Sequence, residues 1–214
     1  MIQFKNISHN YELNSDVLVL KNVSFSIEDG ECVGLTGPSG SGKSTLAYIA
    51  AGHIPPASGR IIVDGKDRTG RQSREVFLIH QESDLFPWQK VRRQISFAMG
   101  QKDEKRVASL IDLVKLSGFE GYFPNQLSGG MKKRLAIARA LAVNPKLLIL
   151  DEAFSSLDSN LKMDLYSDLK RIWEITGTTI LLITHDCKDL ENLANREIKL
   201  TDHKHTKILE IIHH

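Results

Sequence analysis

The stretch "ECVGLTGPSGSGKST" (Glu31–Thr45) decides how this chain is read. Its first half is a short apolar run ending in glycine, the pattern of a buried strand. Its second half fits G-x-x-x-x-G-K-[ST], with Gly37, Gly42, Lys43 and Ser44 at the fixed positions. The spacing has a physical cause. Glycines let backbone N–H groups turn inward and approach phosphate oxygens, and the following helix points its positive end at them. Gly37, Pro38, Ser39, Gly40, Ser41, Gly42, Lys43, Ser44 and Thr45 are therefore expected to cradle a nucleoside triphosphate. Lys43 is expected on the β- and γ-phosphates and the Ser44 hydroxyl on Mg²⁺. A glycine-rich turn with a chance lysine is the bland alternative. The strand before the motif and the helix "STLAYIAAG" after it argue against that alternative.

Working outward, two more apolar runs end in polar residues. "LLILDE" (Leu147–Glu152) delivers two adjacent carboxylates at a strand end, where ligands bind in open α/β sheets. Asp151 is expected to hold Mg²⁺ through its water shell. Glu152 points elsewhere and is expected to polarise an attacking water. "LLITHD" (Leu181–Asp186) ends the same way and offers His185 to a γ-phosphate. Gln81 ends the run "VFLIH" (Val76–His80) and says little by itself. Continuous apolar runs alternating with helices predict a parallel sheet covered on both faces.

The remaining segments fill in an α/β layout. "IQFKNI" and "VSFSI" alternate with period two and predict half-buried strands; "RIIVDG" predicts another. From about Ser83 to Asn144 the strand signal vanishes. "DEKRVASLIDLVKLSG" (Asp103–Gly118) predicts a helix stopped by its glycine. The expected fold is α/β: a P-loop core of mostly parallel sheet flanked by helices, an N-terminal antiparallel β subdomain and an inserted α-helical subdomain at about 84–144. One domain spans 1–214. "DHKHTK" (202–207) predicts a polar turn before a last short strand, "ILEII".

Bulk composition excludes several classes. With 41% hydrophobic and 25% charged residues over 214 positions, the chain buries a sizeable core without disulfides. A net charge of +2 gives no electrostatic case for nucleic acid, and none is expected as a partner. The two cysteines, Cys32 and Cys187, fit a reduced setting better than a disulfide framework. "MIQFKNISHN" has no apolar run, so no signal peptide is expected. No apolar run approaches the roughly 20 residues of a membrane span.

A second glycine-rich loop opens the helix "MKKRLAIARALAV": "NQLSGG" (Asn125–Gly130). Ser128 is expected to cap that helix and leave N–H groups free for an anion. One cradle suffices for a chain that completes its own site. Two make sense if the second serves a partner's ligand, with two-fold symmetry giving each copy both roles.

Together these motifs resemble the ATP-binding subunit of ABC transporters over nearly the whole chain. "GPSGSGKST" resembles that family's Walker A loop, Gln81 its Q-loop, "LSGGM" (Leu127–Met131) its signature, "LLILDE" its Walker B, "SSLD" (Ser155–Asp158) its D-loop and His185 its switch histidine. Tyr11 sits where the family keeps an aromatic that stacks on adenine. The resemblance implies ATP and Mg²⁺ as cofactors, with Ser44, Gln81 and Asp151 on the metal. It implies Glu152, His185 and Gln81 in hydrolysis. Ser128, Gly129, Gly130 and Asp158 would then face ATP across a head-to-tail pair of subunits. It further implies transmembrane permease subunits as partners, a second ATP-binding subunit, an external solute-binding protein and a place on the cytoplasmic face of the cell membrane. "LFPW" (Leu85–Trp88) falls where motion passes to the permease.

The run "LFPW", the "LSGGM" variant and the lack of a C-terminal regulatory domain look most like importers of the nitrate, sulfonate and taurine type. Exporters and lipoprotein-releasing systems share most of the motifs, and a soluble ATPase of this family acting on nucleic acid is the weaker alternative. Departures from the family pattern are Met131 and Lys133, both in place of glutamine, Ala153 in place of proline and Asn195 in place of aspartate.

Overall fold

The computed structural model describes residues 1–11, 19–80, 85–100, 102–155, 157–201 and 208–213. The predicted segments 202–207 and Gln81 lie outside them. Two sheets organise the described residues. The first is antiparallel, in the order β2 (Leu20–Ile27), β1 (Ile2–His9), β4 (Ser58–Val63), β5 (Lys66–Asp67). The second has the order β10 (Ile208–His213), β9 (Arg196–Leu200), β3 (Cys32–Thr36), β8 (Ile180–Ile183), β7 (Leu147–Asp151), β6 (Val76–Ile79). Every pair in it is parallel except β10 with β9. Among the described residues six α-helices complete the fold: α1 (Lys43–Ala50), α2 (Val91–Met99), α3 (Glu104–Leu113), α4 (Gly129–Ala142), α5 (Ser159–Thr176) and α6 (Cys187–Leu193).

The continuous apolar runs are explained by the core. Successive side chains of a strand point to opposite faces. Leu148 and Leu150 of β7 join Cys32, Ile180 and Leu182 in a core shared with α2–α5. Leu147 and Ile149 join Val33, Leu35, Leu181 and Ile183 in a second core, shared with α1 and the antiparallel sheet. Both faces are covered, so neither alternates with polar residues.

The helices α2, α3 and α4 lie between β6 and β7, where the strand signal disappears. Two features differ from expectation. The helix over 103–118 stops at Leu113, short of Gly118. Lys115 adopts φ 56° and supplies the left-handed turn itself. The N–H groups of Lys115 and Leu116 bond back to the carbonyls of Asp112 and Ile111, so a Schellman stop forms without glycine. Asp103 caps the start, accepting from the Arg106 N–H at 2.9 Å. The second difference is β9, "REIKL", which has no apolar run. It is a strand because β3 on one side and β10 on the other supply its ladders.

Parallel pairing has one consequence for function. Residues that follow β3, β7 and β8 emerge at the same edge of the sheet. Those are Gly37–Gly42, Glu152 and His185.

Candidate nucleotide site

A cavity of about 570 Å³ opens at that edge. Gly37, Ser39, Gly40, Gly42, Lys43, Ser44 and Thr45 line it, together with Tyr11, Val19, Glu152 and His185. The loop after β3 is held in shape by its glycines. Gly37 has φ 144° and Gly42 φ 82°. A Cβ on Gly42 would sit 2.7 Å from Leu20 Cδ2, so a larger residue there must displace Leu20 and accept a left-handed backbone. Gly42 is also the N-cap of α1, and no side chain caps that helix. Its first-turn N–H groups are therefore available to an anion.

Lys43 is nearly buried, and its Nζ donates to the carbonyls of Gly37 at 2.8 Å and Pro38 at 2.9 Å. Burial pushes the ammonium below its ordinary range, against the pull of Glu152 and Asp151. Asp151 is buried at the end of β7, and Ser44 Oγ lies 3.3 Å from its Oδ1. Burial pushes that carboxyl up, and the Ser44 hydroxyl pulls it back. Both charges are desolvated, and each gains from an opposite partner. An anionic phosphate suits Lys43 and the open helix end. A hydroxyl beside a carboxylate is a hard oxygen pair of the kind Mg²⁺ takes. The residues present fit a Mg²⁺–nucleotide.

Glu152 turns away from its neighbour. Its φ is 48°, a left-handed conformation rare outside glycine. Its N–H donates to the Ile183 carbonyl and its own carbonyl accepts from Ser155 N–H and Oγ. This turn sends the Glu152 carboxylate toward β8, where Oε1 lies 3.5 Å from His185 Nδ1. Tyr11 covers the mouth. Its ring meets His9 edge-on at 4.9 Å and its hydroxyl is 2.8 Å from Thr45 Oγ1.

The second glycine loop is elsewhere. Ser128, Gly129, Gly130 and Asp158 do not line the cavity. Ser128 is exposed and caps α4, which starts at Gly129 instead of near Met131; its Oγ accepts from the Met131 N–H at 3.3 Å. A Cβ on Gly129 would be 3.5 Å from Leu157 and one on Gly130 3.7 Å from Leu161. The loop thus packs beside the start of α5. Asp158 caps α5, accepting from the N–H groups of Asn160 and Leu161.

Three features were missed from sequence. Val19 lines the cavity without any motif of its own. Gln94, fully buried in α2, donates to the carbonyls of Phe86 and Gln89 and accepts from the Phe86 N–H. It is what pins "LFPW", leaving Trp88 exposed. The third is a polar cluster under His185, described below. Only a polar residue at an apolar helical position signalled Gln94. Asn195, away from the cavity, accepts from the Cys32 N–H at 3.0 Å.

Comparison with known proteins agrees with this geometry. The ABC transporter family model matches residues 20–155. The aliphatic sulfonates import ATP-binding protein SsuB of Bacillus cereus is 41% identical over 199 residues, covering 92% of this chain and 78% of that protein. The nitrate import ATP-binding protein NrtD of Synechocystis is 43% identical over 186 residues, covering 84% and 70%. The solved dimeric ATP-binding cassette MJ0796, in a post-hydrolysis state bound to ADP and Pi, superposes with a TM-score of 0.84 at 29% identity, covering 100% of this chain and 98% of that one. Among the described residues no helix is long and apolar enough to cross a membrane. A cavity built from a P-loop, relatives that are import ATP-binding subunits and a cassette fold together place this chain in the ABC transporter family, as an ATP-binding, ATP-hydrolysing subunit that energises transport.

Proposed function

We propose that this chain drives import of a small oxyanion of the nitrate or sulfonate type, hydrolysing ATP with Mg²⁺. The observation that carries the chemical part is the meeting of Lys43, Ser44, Glu152 and His185 around one cavity, with the last two 3.5 Å apart. The cargo rests on the relatives, which are named for sulfonate and nitrate import. Lys43 and the open end of α1 hold the phosphates. Ser44 and Asp151 would hold Mg²⁺, which would neutralise phosphate charge, and the family resemblance adds Gln81 to that set. Glu152 takes a proton from water as the water oxygen attacks the γ-phosphorus; the bond to the β-phosphate oxygen breaks and ADP leaves. His185 donates to the γ-phosphate and holds the water against Glu152. Tyr11 stacks on the adenine.

Ser128, Gly129, Gly130 and Asp158 face ATP bound to a second subunit. The pair closes around two ATP molecules and reopens after hydrolysis. The chain acts as one domain, 1–214, with the helical segment at about 84–144 inserted. It sits at the cytoplasmic face of the cell membrane beneath permease subunits, with a solute-binding protein outside. Glu152→Gln is the test. Phosphate release is expected to fall at least about 100-fold, the loss of a general base, while ATP still binds and the dimer accumulates on size exclusion. Undiminished hydrolysis removes Glu152 from its role.

A further inference from the structure

Below His185 lies a buried polar cluster that hydrophobic packing alone does not require. Asp189 of α6 is buried and receives two hydroxyls: Tyr166 of α5 donates to one oxygen and Thr184 to the other. The Thr184 oxygen in turn accepts from the Asp186 N–H at 3.0 Å. Lys162 of α5 donates to Asp186 Oδ2 at 2.8 Å and stands 3.9 Å from Asp189. The other Asp186 oxygen caps α6, accepting from the Lys188 N–H. His185 therefore sits between two residues, Thr184 and Asp186, that are both held by this cluster. Its own side chain is 65% exposed, with Nδ1 3.5 Å from Glu152 Oε1.

We propose that Lys162, Tyr166 and Asp189 are positioning residues for hydrolysis: they fix the Thr184–Asp186 backbone so that His185 stands at the γ-phosphate beside Glu152. The proposal rests on the assignment of His185 above. Its physical basis is the cost of leaving a buried carboxylate unpaired. With every partner in place, the cluster has one geometry; with one removed, the loop has several. Burial, and next the Asp189 acceptor, hold the Tyr166 phenol far above its ordinary range, so it remains a donor across the working pH range. Lys162 lies one turn into α5 and its N–H donates to the Asp158 carbonyl at 3.0 Å. The start of α5 packs beside Gly129 and Gly130 through Leu157 and Leu161. The cluster thus ties His185 to the helix that adjoins the second glycine loop.

The test compares wild-type full-length chain with Lys162→Met, Lys162→Arg and Tyr166→Phe. Three quantities are read: kcat for ATP hydrolysis, Kd for a non-hydrolysable ATP analogue, and backbone amide resonances of Thr184–Asp186. Lys162→Met is expected to lower kcat about tenfold or more, leave Kd within about twofold and broaden or split the three resonances. Lys162→Arg is expected to restore most of kcat, because the guanidinium still reaches Asp186. Tyr166→Phe, which keeps its ring packing, is expected to act in the same direction if Lys162→Met folds poorly. Wild-type kcat in Lys162→Met and Tyr166→Phe overturns the proposal. So does a loss of kcat matched by Kd with unchanged 184–186 resonances. A His185→Ala chain with full kcat overturns the role of His185 instead, while the resonances still report whether the cluster holds the loop.

Discussion

The two glycine-rich loops look alike in sequence and differ in what surrounds them. Gly37–Thr45 lines a cavity, although Ser39, Gly40 and Ser44 reach solvent. It follows a buried strand, has Glu152 and His185 opposite, and carries a buried lysine. Leu127–Met131 is open. Ser128 and Gly129 are exposed and do not line the cavity that holds Glu152. Both end at a helix N-terminus, so both can bind an anion. The first is a site complete enough to hold a nucleotide. The second is half of one, and the chain has nothing of its own to place against it among the described residues. The solved cassette MJ0796, similar at a TM-score of 0.84, is dimeric, and in the pairing proposed above a second subunit would supply the missing half.

That contrast breaks first at Ser128. If the open loop serves a partner's nucleotide, Ser128→Arg abolishes most steady-state hydrolysis while equilibrium ATP binding persists. An arginine there removes the cap, costing about 1 kcal/mol, and fills the space where the partner's ATP would sit. Near-normal phosphate release by a folded Ser128→Arg chain reduces the loop to a helix cap.

Alanine substitution in each loop sharpens the contrast further. Gly42→Ala places a Cβ 2.7 Å from Leu20 in a left-handed backbone, so it is expected to destabilise the chain by about 1–3 kcal/mol. ATP affinity falls with it. Gly130→Ala makes only an ordinary contact, 3.7 Å from Leu161 Cδ2, inside a helix. There alanine is expected to stabilise by about 0.5–1 kcal/mol. Its hydrolysis is expected to fall less than that of Gly42→Ala, because the methyl lies against Leu161 of the same chain and not in the cavity. Thermal unfolding and phosphate release on the same two proteins check this. Opposite signs of stability, with the larger loss of activity in Gly42→Ala, are the expected pattern.

The smallest effect concerns the mouth of the first loop. Tyr11→Ala removes one aromatic stack, worth about 0.5–1.5 kcal/mol. ATP affinity is expected to weaken about two- to tenfold, with kcat at saturating ATP unchanged. Inorganic triphosphate, which has no adenine, is expected to bind both proteins equally in a competition assay. Equal loss for triphosphate places the tyrosine on the phosphates instead.

Much of the site was legible because it is local. The spacing Gly37-x-x-x-x-Gly42-Lys43-Ser44 encodes a loop that must curl, and two apolar runs end in Asp151 and His185. Parallel strands deliver such ends to one edge. Other features were hidden because distant partners make them. β9 reads as polar and is a strand through its neighbours. Lys115 ends α3 where Gly118 was the obvious stop. Gln94, Tyr166 and Asp189 look like ordinary helical residues until folding brings their partners within reach.

The sequence by itself determined the chemistry on offer: a phosphate loop, a metal-suited carboxylate, a candidate base, a histidine and a second anion loop. Each depends on residues a few positions apart, and short-range backbone geometry is written locally. Only the tertiary structure decided which of these meet. It set Glu152 against His185 through a left-handed turn, left Ser128 on the outside, and packed Lys162, Tyr166 and Asp189 beneath the histidine. Those outcomes follow from strand order and helix packing, which are fixed by contacts between residues far apart in the chain.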